Sequence, residues 1–479
     1  MPRLEEVRVG VLPLNRFADI LGREEIERAV RVASAARDKL AKRVVWNVNS
    51  TAVGGGVAEM LQSLLCYTRS LGIDTRWIVI SGSPDFFRVT KRLHHALHGS
   101  PGDGTPLDEG ARRIYEAALA QNALELVSLV RAGDVVVLHD PQTAGLAPAL
   151  YGSGVHLVWR CHIGSDDANE QVDLGWEFLR RYLEDVKAFV FSRQSYIPPL
   201  CDAGRSVVIT PSIDAFSAKN QELSEATVRS ILVHSGLVEG PAPADADYRF
   251  VRDDGTPGRV ERRAEVVRLG SAPDWDAPLV VQVSRWDPLK DMVGVMEGFR
   301  ILCDGGGAPR AELVLAGPDV SGVSDDPEGG RVFAEAVAAW GALPQAVRSR
   351  VHLASLPILD VQENAAIVNA LQRHAAVVVQ KSLREGFGLT VTEAMWKERP
   401  VVASAVGGIV DQIEDGVSGI LLADPTDLET FAATLEELLA APDRMQSLGR
   451  AARQRVREGF LGVDHLLKYA ALLERLEPF

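Results

Sequence analysis

Two glutamates eight residues apart, Glu385 and Glu393, bracket the string Glu385-Gly386-Phe387-Gly388-Leu389-Thr390-Val391-Thr392-Glu393. The string follows the apolar run Ala376-Val377-Val378-Val379. Gly386 and Gly388 free the backbone, and Leu389 to Met395 then reads as a helix. One carboxylate falls on the loop and the other about two turns down the helix. Acids so placed suit one ligand gripped at two points, the loop acid on a sugar ring and the helical acid on ribose hydroxyls. The amide groups between them, at the helix start, would face a phosphate. Acids near a helix start are common for dipole reasons alone. Their combination with two glycines after a buried strand is the specific part.

Two further clusters suit an anionic ligand. Ser284-Arg285-Trp286-Asp287-Pro288-Leu289-Lys290 lies just past the run Leu279-Val280-Val281-Gln282-Val283. A rigid Trp-Asp-Pro turn separates the two cations, so Arg285 and Lys290 can converge on one diphosphate and neutralise a departing nucleotide. A solvated pair beside a helix start would look the same. Near the N-terminus, Gly54-Gly55-Gly56 follows the run Val44 to Val48. It precedes a helix whose Val57, Met60, Leu61, Leu64 and Leu65 share one face. Strand, glycine turn and helix start form an anion site, although a plain tight turn would use the same glycines. The spacing is not that of a dinucleotide fingerprint.

Positioning these residues requires strands buried on both faces and crossover helices. The apolar runs near 44–48, 77–80, 135–138, 156–159, 188–191 and 206–210 form one set, and those near 279–283, 312–315, 351–353, 376–379, 400–403 and 419–422 a second. Each alternates with amphipathic stretches, the pattern of parallel α/β sheets. The expected architecture is two Rossmann-like, doubly wound domains, 1–213 and 214–457, with a C-terminal helix in 458–479 that either caps the second or crosses back to the first. Gly240–Asp276 reads as an irregular surface insertion with a hairpin around Asp253-Asp254-Gly255. Gly99–Leu107 reads as an exposed loop.

The chain has 479 residues and a net charge of −14, which disfavours a nucleic-acid partner. Its four cysteines lack metal or disulfide spacing. No apolar stretch approaches the roughly 20 residues of a membrane span. The N-terminus lacks a signal-peptide core, so a cytoplasmic protein is expected.

The Glu-x7-Glu motif at Glu385 and Glu393, the Ser-Arg-x4-Lys element at Arg285 and Lys290, and the glycine loop together resemble the retaining GT-B glycosyltransferases of family four. Four strings are similar to the trehalose glycosyltransferring synthases within that family: Pro84 to Lys91, His139-Asp140-Pro141-Gln142, Val158 to Ile163 and Val406 to Gln412. The resemblance implies joining nucleoside-diphosphate glucose, with ADP, UDP or GDP, to free glucose to give α,α-trehalose, and the reverse. It places His162 on the donor glucose, Glu385 on the sugar hydroxyls, Arg285 and Lys290 on the diphosphate, and Glu393 on ribose. Gly386, Phe387, Gly388, Leu389 and Thr390 complete the donor loop. Phe86, Lys91, Asp140 and Gln142 are the acceptor candidates. Trp159 and Trp286 read as packing residues.

With Glu385 on outer hydroxyls, no obvious nucleophile remains for double displacement, which favours front-face attack. No cofactor or resident metal is required, and magnesium enters only as a nucleotide-associated activator. A homodimer is compatible with the reading. The rival readings are a retaining trehalose phosphorylase and a non-catalytic nucleotide-sugar sensor.

Overall fold

The computed structural model describes residues 4–476 apart from 41, 53–54, 242, 244–245, 307, 309 and 321–326. The chain divides into two compact units, one running to Ser212 and resuming at Phe460, the other Ile213–Gly459.

The first unit is built on a seven-stranded sheet of β1 (Glu5–Val7), β2 (Val45–Asn49), β3 (Thr75–Val79), β4 (Val135–His139), β5 (His156–Cys161), β6 (Ala188–Phe191) and β7 (Ser206–Val208). Its order is β1-β3-β2-β4-β5-β6-β7, parallel except for β1. All five residues of β4 and all four of β6 are buried, which is why these strands read as continuous apolar runs. The edge strand β1 escapes sequence reading because Glu5-Glu6-Val7 carries no apolar pattern; backbone pairing to β3 alone makes it a strand. The helix Gly462–Arg475 lays Leu472 against Val135, Val137, Val158 and Val190 of the same sheet, with Leu476 just beyond its end in the same cluster.

The second unit contains a hairpin of β8 (Arg249–Val251) and β9 (Pro257–Arg259) and a second seven-stranded sheet. The sheet comprises β10 (Glu265–Val267), β11 (Leu279–Val283), β12 (Glu312–Pro318), β13 (Val351–Leu356), β14 (Val377–Gln380), β15 (Val401–Ser404) and β16 (Ile420–Leu422). Its order is β10-β13-β12-β11-β14-β15-β16, parallel except for β10.

The stretch 240–276 is therefore more than a surface insertion. Its hairpin turns at Asp253-Asp254-Gly255, where Gly255 takes a φ of +84°. Phe250 and Val260 are buried, and Arg252 donates to Asp360 at 3.1 Å. The backbone N–H groups of Glu261 and Arg262 both donate to the buried Glu363 at 2.6 Å, and Arg262 also pairs with it. The stretch then supplies β10 to the main sheet. Polar composition concealed this, because its anchors are charged groups that meet partners about a hundred residues away.

Both sheets reverse their winding at one place, between β2 and β4 in the first and between β11 and β14 in the second. Loops diverge at the carboxyl ends of such strand pairs, leaving a crevice where ligands bind.

Candidate active site

In the second unit, both charged motifs leave the two strands that flank the switch point. After β11 the chain passes through Arg285 and a short turn of 3-10 helix, Pro288–Lys290, whose start is capped by Asp287 accepting from Leu289 N at 2.8 Å. After β14 it passes through Lys381, Ser382 and Glu385. The two loops are stapled together. Lys381 N donates to Gln282 Oε1 at 3.0 Å, Gln282 Nε2 donates to Lys290 O at 2.7 Å, and Leu383 N donates to Leu289 O at 2.8 Å. The fully buried Lys381 ammonium pairs with Asp291, which sits at a φ of +48° and caps the helix Met292–Asp304.

The staple brings Lys290 Nζ within 2.6 Å of Glu385 Oε2, with both side chains largely buried, and Ser382 Oγ donates to the same oxygen at 3.2 Å. Arg285 behaves differently: its side chain is 61% exposed and lies 3.3 Å from Asp287 Oδ2. Behind Glu385, Gly388 turns the chain at a φ of +82° into the helix Leu389–Trp396. A Cβ on Gly388 would come 3.1 Å from Glu385 Cγ, so this turn and the carboxylate are packed as one object. Phe387 is buried and its carbonyl accepts from Gln412 Nε2, while Gly386 O accepts from Gly408 N at 3.0 Å. Thr390 Oγ1 donates to Gln380 Oε1 at 2.9 Å. Glu393 is buried on the helix with Oε1 3.7 Å from Lys219 Nζ. Beneath it the buried Lys397 donates to Asn220 Oδ1 and to Glu393 O, each at 3.0 Å. Burial holds that ammonium well below the usual lysine range, opposed by the nearby Glu393.

The first unit carries a pair of histidines at the corresponding edge. His162 follows β5 and is 7% exposed. Its N–H donates to Asp140 Oδ1 at 2.7 Å, and its Nε2 lies 3.1 Å from Nδ1 of His139, the last residue of β4. His139 Nε2 lies 3.1 Å from Asn47 Oδ1 on β2. Burial, reinforced by the Arg160 cation, drives His139 down to about 3 and His162 well below the usual histidine range. Burial pushes Asp140 up to about 7, opposed by the hydrogen bond from His162 N and by Arg160. Gly55 turns into the helix Gly56–Ser70 at a φ of +87°, and among the described residues no side chain caps that helix start. Gly54 lies outside the described residues.

A family model described as the N-terminal domain of trehalose synthase matches residues 47–198, and one described as glycosyl transferases group 1 matches residues 358–455. A trehalose synthase of Pyrococcus horikoshii is 34% identical over 480 aligned residues, covering 99% of both chains. The chain belongs to the trehalose synthase family. It is thus a glycosyltransferase of trehalose-related chemistry. A trehalose phosphorylase of Pleurotus pulmonarius is 25% identical, over 97% of this chain and 62% of that protein. Among solved structures, a UDP-forming α,α-trehalose-phosphate synthase of Burkholderia vietnamiensis superposes with a TM-score of 0.65 at 16% identity, covering 91% of this chain and 97% of that one. That likeness shows the GT-B fold of two parallel-sheet α/β domains.

The structure of this glycosyltransferase brings Lys290, Glu385 and the loop Gly386–Thr390 together, with Arg285 at the rim. Lys290 and Glu385, assigned separately to phosphate and sugar, are ion-paired partners. Among the acceptor candidates, Asp140 and Gln142 share the short helix Asp140–Ala144. Gln142 Oε1 is buried without a hydrogen-bond partner among the described residues. Lys91 is exposed on the helix Pro84–Leu97. Phe86 must be withdrawn as an acceptor contact. It is fully buried in the first core, stacked on Tyr115 at 5.7 Å between ring centres, and cannot reach a sugar. Trp159 and Trp286 are buried packing residues.

Sequence reading assigned no role to Asn47, His139, Lys381, Asp291, Ser382 or Gln412. All but Ser382, whose partner Glu385 is three residues on, act through a partner distant in the chain that the fold brings near. His139 alone carried a local signal, as the polar end of a buried run. Among the described residues no cluster of His, Cys, Asp or Glu is suited to a metal, and no helix is long and apolar enough to cross a membrane. Among the described residues, none of the four cysteines is in a disulfide.

Proposed function

We propose that this glycosyltransferase transfers glucose, with retention, from a nucleoside-diphosphate glucose to free glucose, giving α,α-trehalose and the nucleoside diphosphate, and that the reaction runs in both directions. The observation that carries the reading is the Lys290–Glu385 pair at the second sheet's switch point. A sugar diphosphate laid there meets a carboxylate for its hydroxyls and an ammonium for its phosphate. Glu393 takes the ribose, and Arg285 adds a second cation on the diphosphate. Lys91, Asp140 and Gln142 are the groups of the first unit assigned to the acceptor.

Catalysis is front-face substitution. The bond from the anomeric carbon to the phosphate oxygen breaks, and the acceptor oxygen bonds to the same face. The departing phosphate oxygen takes the acceptor's proton. A Glu385 carboxylate already engaged by Lys290 and Ser382 is poorly disposed as a nucleophile, which supports this route over double displacement. Lys290 and Arg285 then stabilise the charge on the leaving group. Magnesium, where it acts, arrives with the nucleotide.

Coupled assays of glucose with ADP-, UDP- and GDP-glucose, with the product anomer read by NMR, test the proposal. Trehalose is expected from at least one donor, and Glu385→Gln retains slow turnover with unchanged stereochemistry. A glucosyl ester trapped on Glu385 overturns the mechanism. The phosphorylase relative motivates the counter-test, incubation of trehalose with inorganic phosphate or with each nucleoside diphosphate. Glucose 1-phosphate formed with phosphate alone overturns the synthase reading.

A further inference from the structure

A line of hydrogen bonds in the first unit ends at His162, and its direction can be read from the far end. Thr75, fully buried on β3, donates its hydroxyl proton to the Val45 carbonyl at 3.2 Å; a carbonyl oxygen can only accept. With that proton committed, Thr75 Oγ1 must accept from Asn47 Nδ2 at 3.3 Å. This fixes the orientation of the Asn47 amide and turns its Oδ1 toward His139 Nε2 at 3.1 Å. An amide oxygen is again only an acceptor, so His139 carries its proton on Nε2. Its neutral ring then presents a lone pair on Nδ1. That lone pair faces His162 Nε2 at 3.1 Å, so His162 carries its own proton on Nε2 and a lone pair on Nδ1. The two rings are nearly parallel, 13° apart in plane, as an edge-to-edge relay requires. Among the described residues His162 Nδ1 has no hydrogen-bond partner.

The same pocket opposes any second proton on either ring. Arg160 on β5 is fully buried, and its Nη1 donates to Phe191 O at 3.3 Å. Its Nε and Nη2 have no partner among the described residues. An uncompensated cation so placed disfavours an imidazolium beside it. The other ionisable groups facing the relay are His465 and Tyr469, from the helix Gly462–Arg475, and Asp140.

We propose that Thr75, Asn47 and His139 are positioning residues that hold His162 as its Nε2–H tautomer, so that Nδ1 serves the sugar substrate only as a hydrogen-bond acceptor. His162 then selects for a hydroxyl that can donate at the place it faces, and takes no part as an acid. The proposal rests on the function above only for the statement that the hydroxyl belongs to a sugar.

Long-range proton–nitrogen NMR of the full chain labelled with ¹⁵N-histidine reads the tautomer directly, with His162→Gln assigning its signals. The expected pattern is a pyrrole-type Nε2 and a pyridine-type Nδ1. An Nδ1–H tautomer or an imidazolium at neutral pH overturns the proposal. Thr75→Ser keeps the hydroxyl and should keep both pattern and turnover. Thr75→Val, nearly the same in shape, frees the Asn47 amide to rotate and should give a tautomer mixture. Asn47→Leu removes the acceptor altogether and should lower kcat about tenfold, the effect of one misdirected hydrogen bond. An unchanged pattern in Thr75→Val overturns the proposal even if Asn47→Leu fails to fold. Because the spectrum requires no turnover, its outcome stands apart from whether trehalose is the product.

Discussion

At the carboxyl edge of the second sheet the functional side chains are charged and already paired with one another, whereas at that of the first Asn47, His139 and His162 are uncharged and joined by hydrogen bonds. Lys290 meets Glu385 and Lys381 meets Asp291 in the one; Asn47, His139 and His162 form the relay of the other. Under the proposed function, the difference follows from what each half would hold. A diphosphate needs cations, and cations in a half-buried crevice need a carboxylate until the ligand arrives. A sugar hydroxyl needs only a lone pair in a fixed place, and a buried neutral histidine supplies one without a counter-ion. The charged half therefore works by exchanging partners, and the neutral half by holding one arrangement.

The contrast is most severely strained by Glu385→Ala, which removes the carboxylate proposed to hold the sugar and leaves the largely buried Lys290 ammonium without its partner. A fall in kcat/KM of about a thousandfold is expected. A loss below about tenfold would show that the pair does not organise the donor half. Next comes Phe86→Ala in the first unit. Removing a fully buried aromatic ring should cost about 3–5 kcal/mol of stability in urea titrations, while KM for the acceptor stays within about twofold. A selective rise in that KM would restore Phe86 to the site.

A finer division lies within the charged half. Lys290→Ala should lower kcat about a hundredfold and Arg285→Ala about tenfold, because the lysine is 14% exposed and the arginine 61%. Equal losses in steady-state assays would mean that the exposed arginine becomes buried when substrate binds.

The smallest expected effect concerns pH. Asp140 is raised to about 7 in the folded chain from an ordinary value of 3.8, so the native state binds the proton more tightly than the unfolded chain. Its contribution to stability is complete below about pH 4 and is lost as pH rises through 7. The melting temperature of the wild type relative to Asp140→Asn should therefore rise as pH falls from 7 toward 4. A flat difference would show that the carboxyl is not desolvated.

Much of the architecture was legible in the chain because buried parallel strands must be apolar on both faces. Runs such as Val135–Leu138 and Leu279–Val283 announced themselves, and the ends of β2 to β7 and β11 to β16 all lie within three residues of their runs. Strands β1 and β10 went unread for the converse reason: edge strands are held by backbone pairing on one side, so their side chains may be charged. The donor motif was legible because Gly386, Gly388 and the two glutamates lie within one loop and helix. The histidine relay was not, since its members stand on β2, β3, β4 and the end of β5, and only the winding order makes those neighbours.

By itself the sequence determined which residues turn, which bury and which carry charge, including the positive φ that Gly388 adopts most readily. Tertiary structure alone decided how those residues are paired. It joined Lys290 to Glu385 across 95 positions, moved Phe86 from sugar contact to core, and gave His162 a preferred tautomer through Asn47. The physical reason is range. Burial and backbone preference act on a residue or its near neighbours and so leave a local pattern, whereas an ion pair or a directed hydrogen bond needs two atoms within about 3 Å. Only the folded sheets bring distant residues that close.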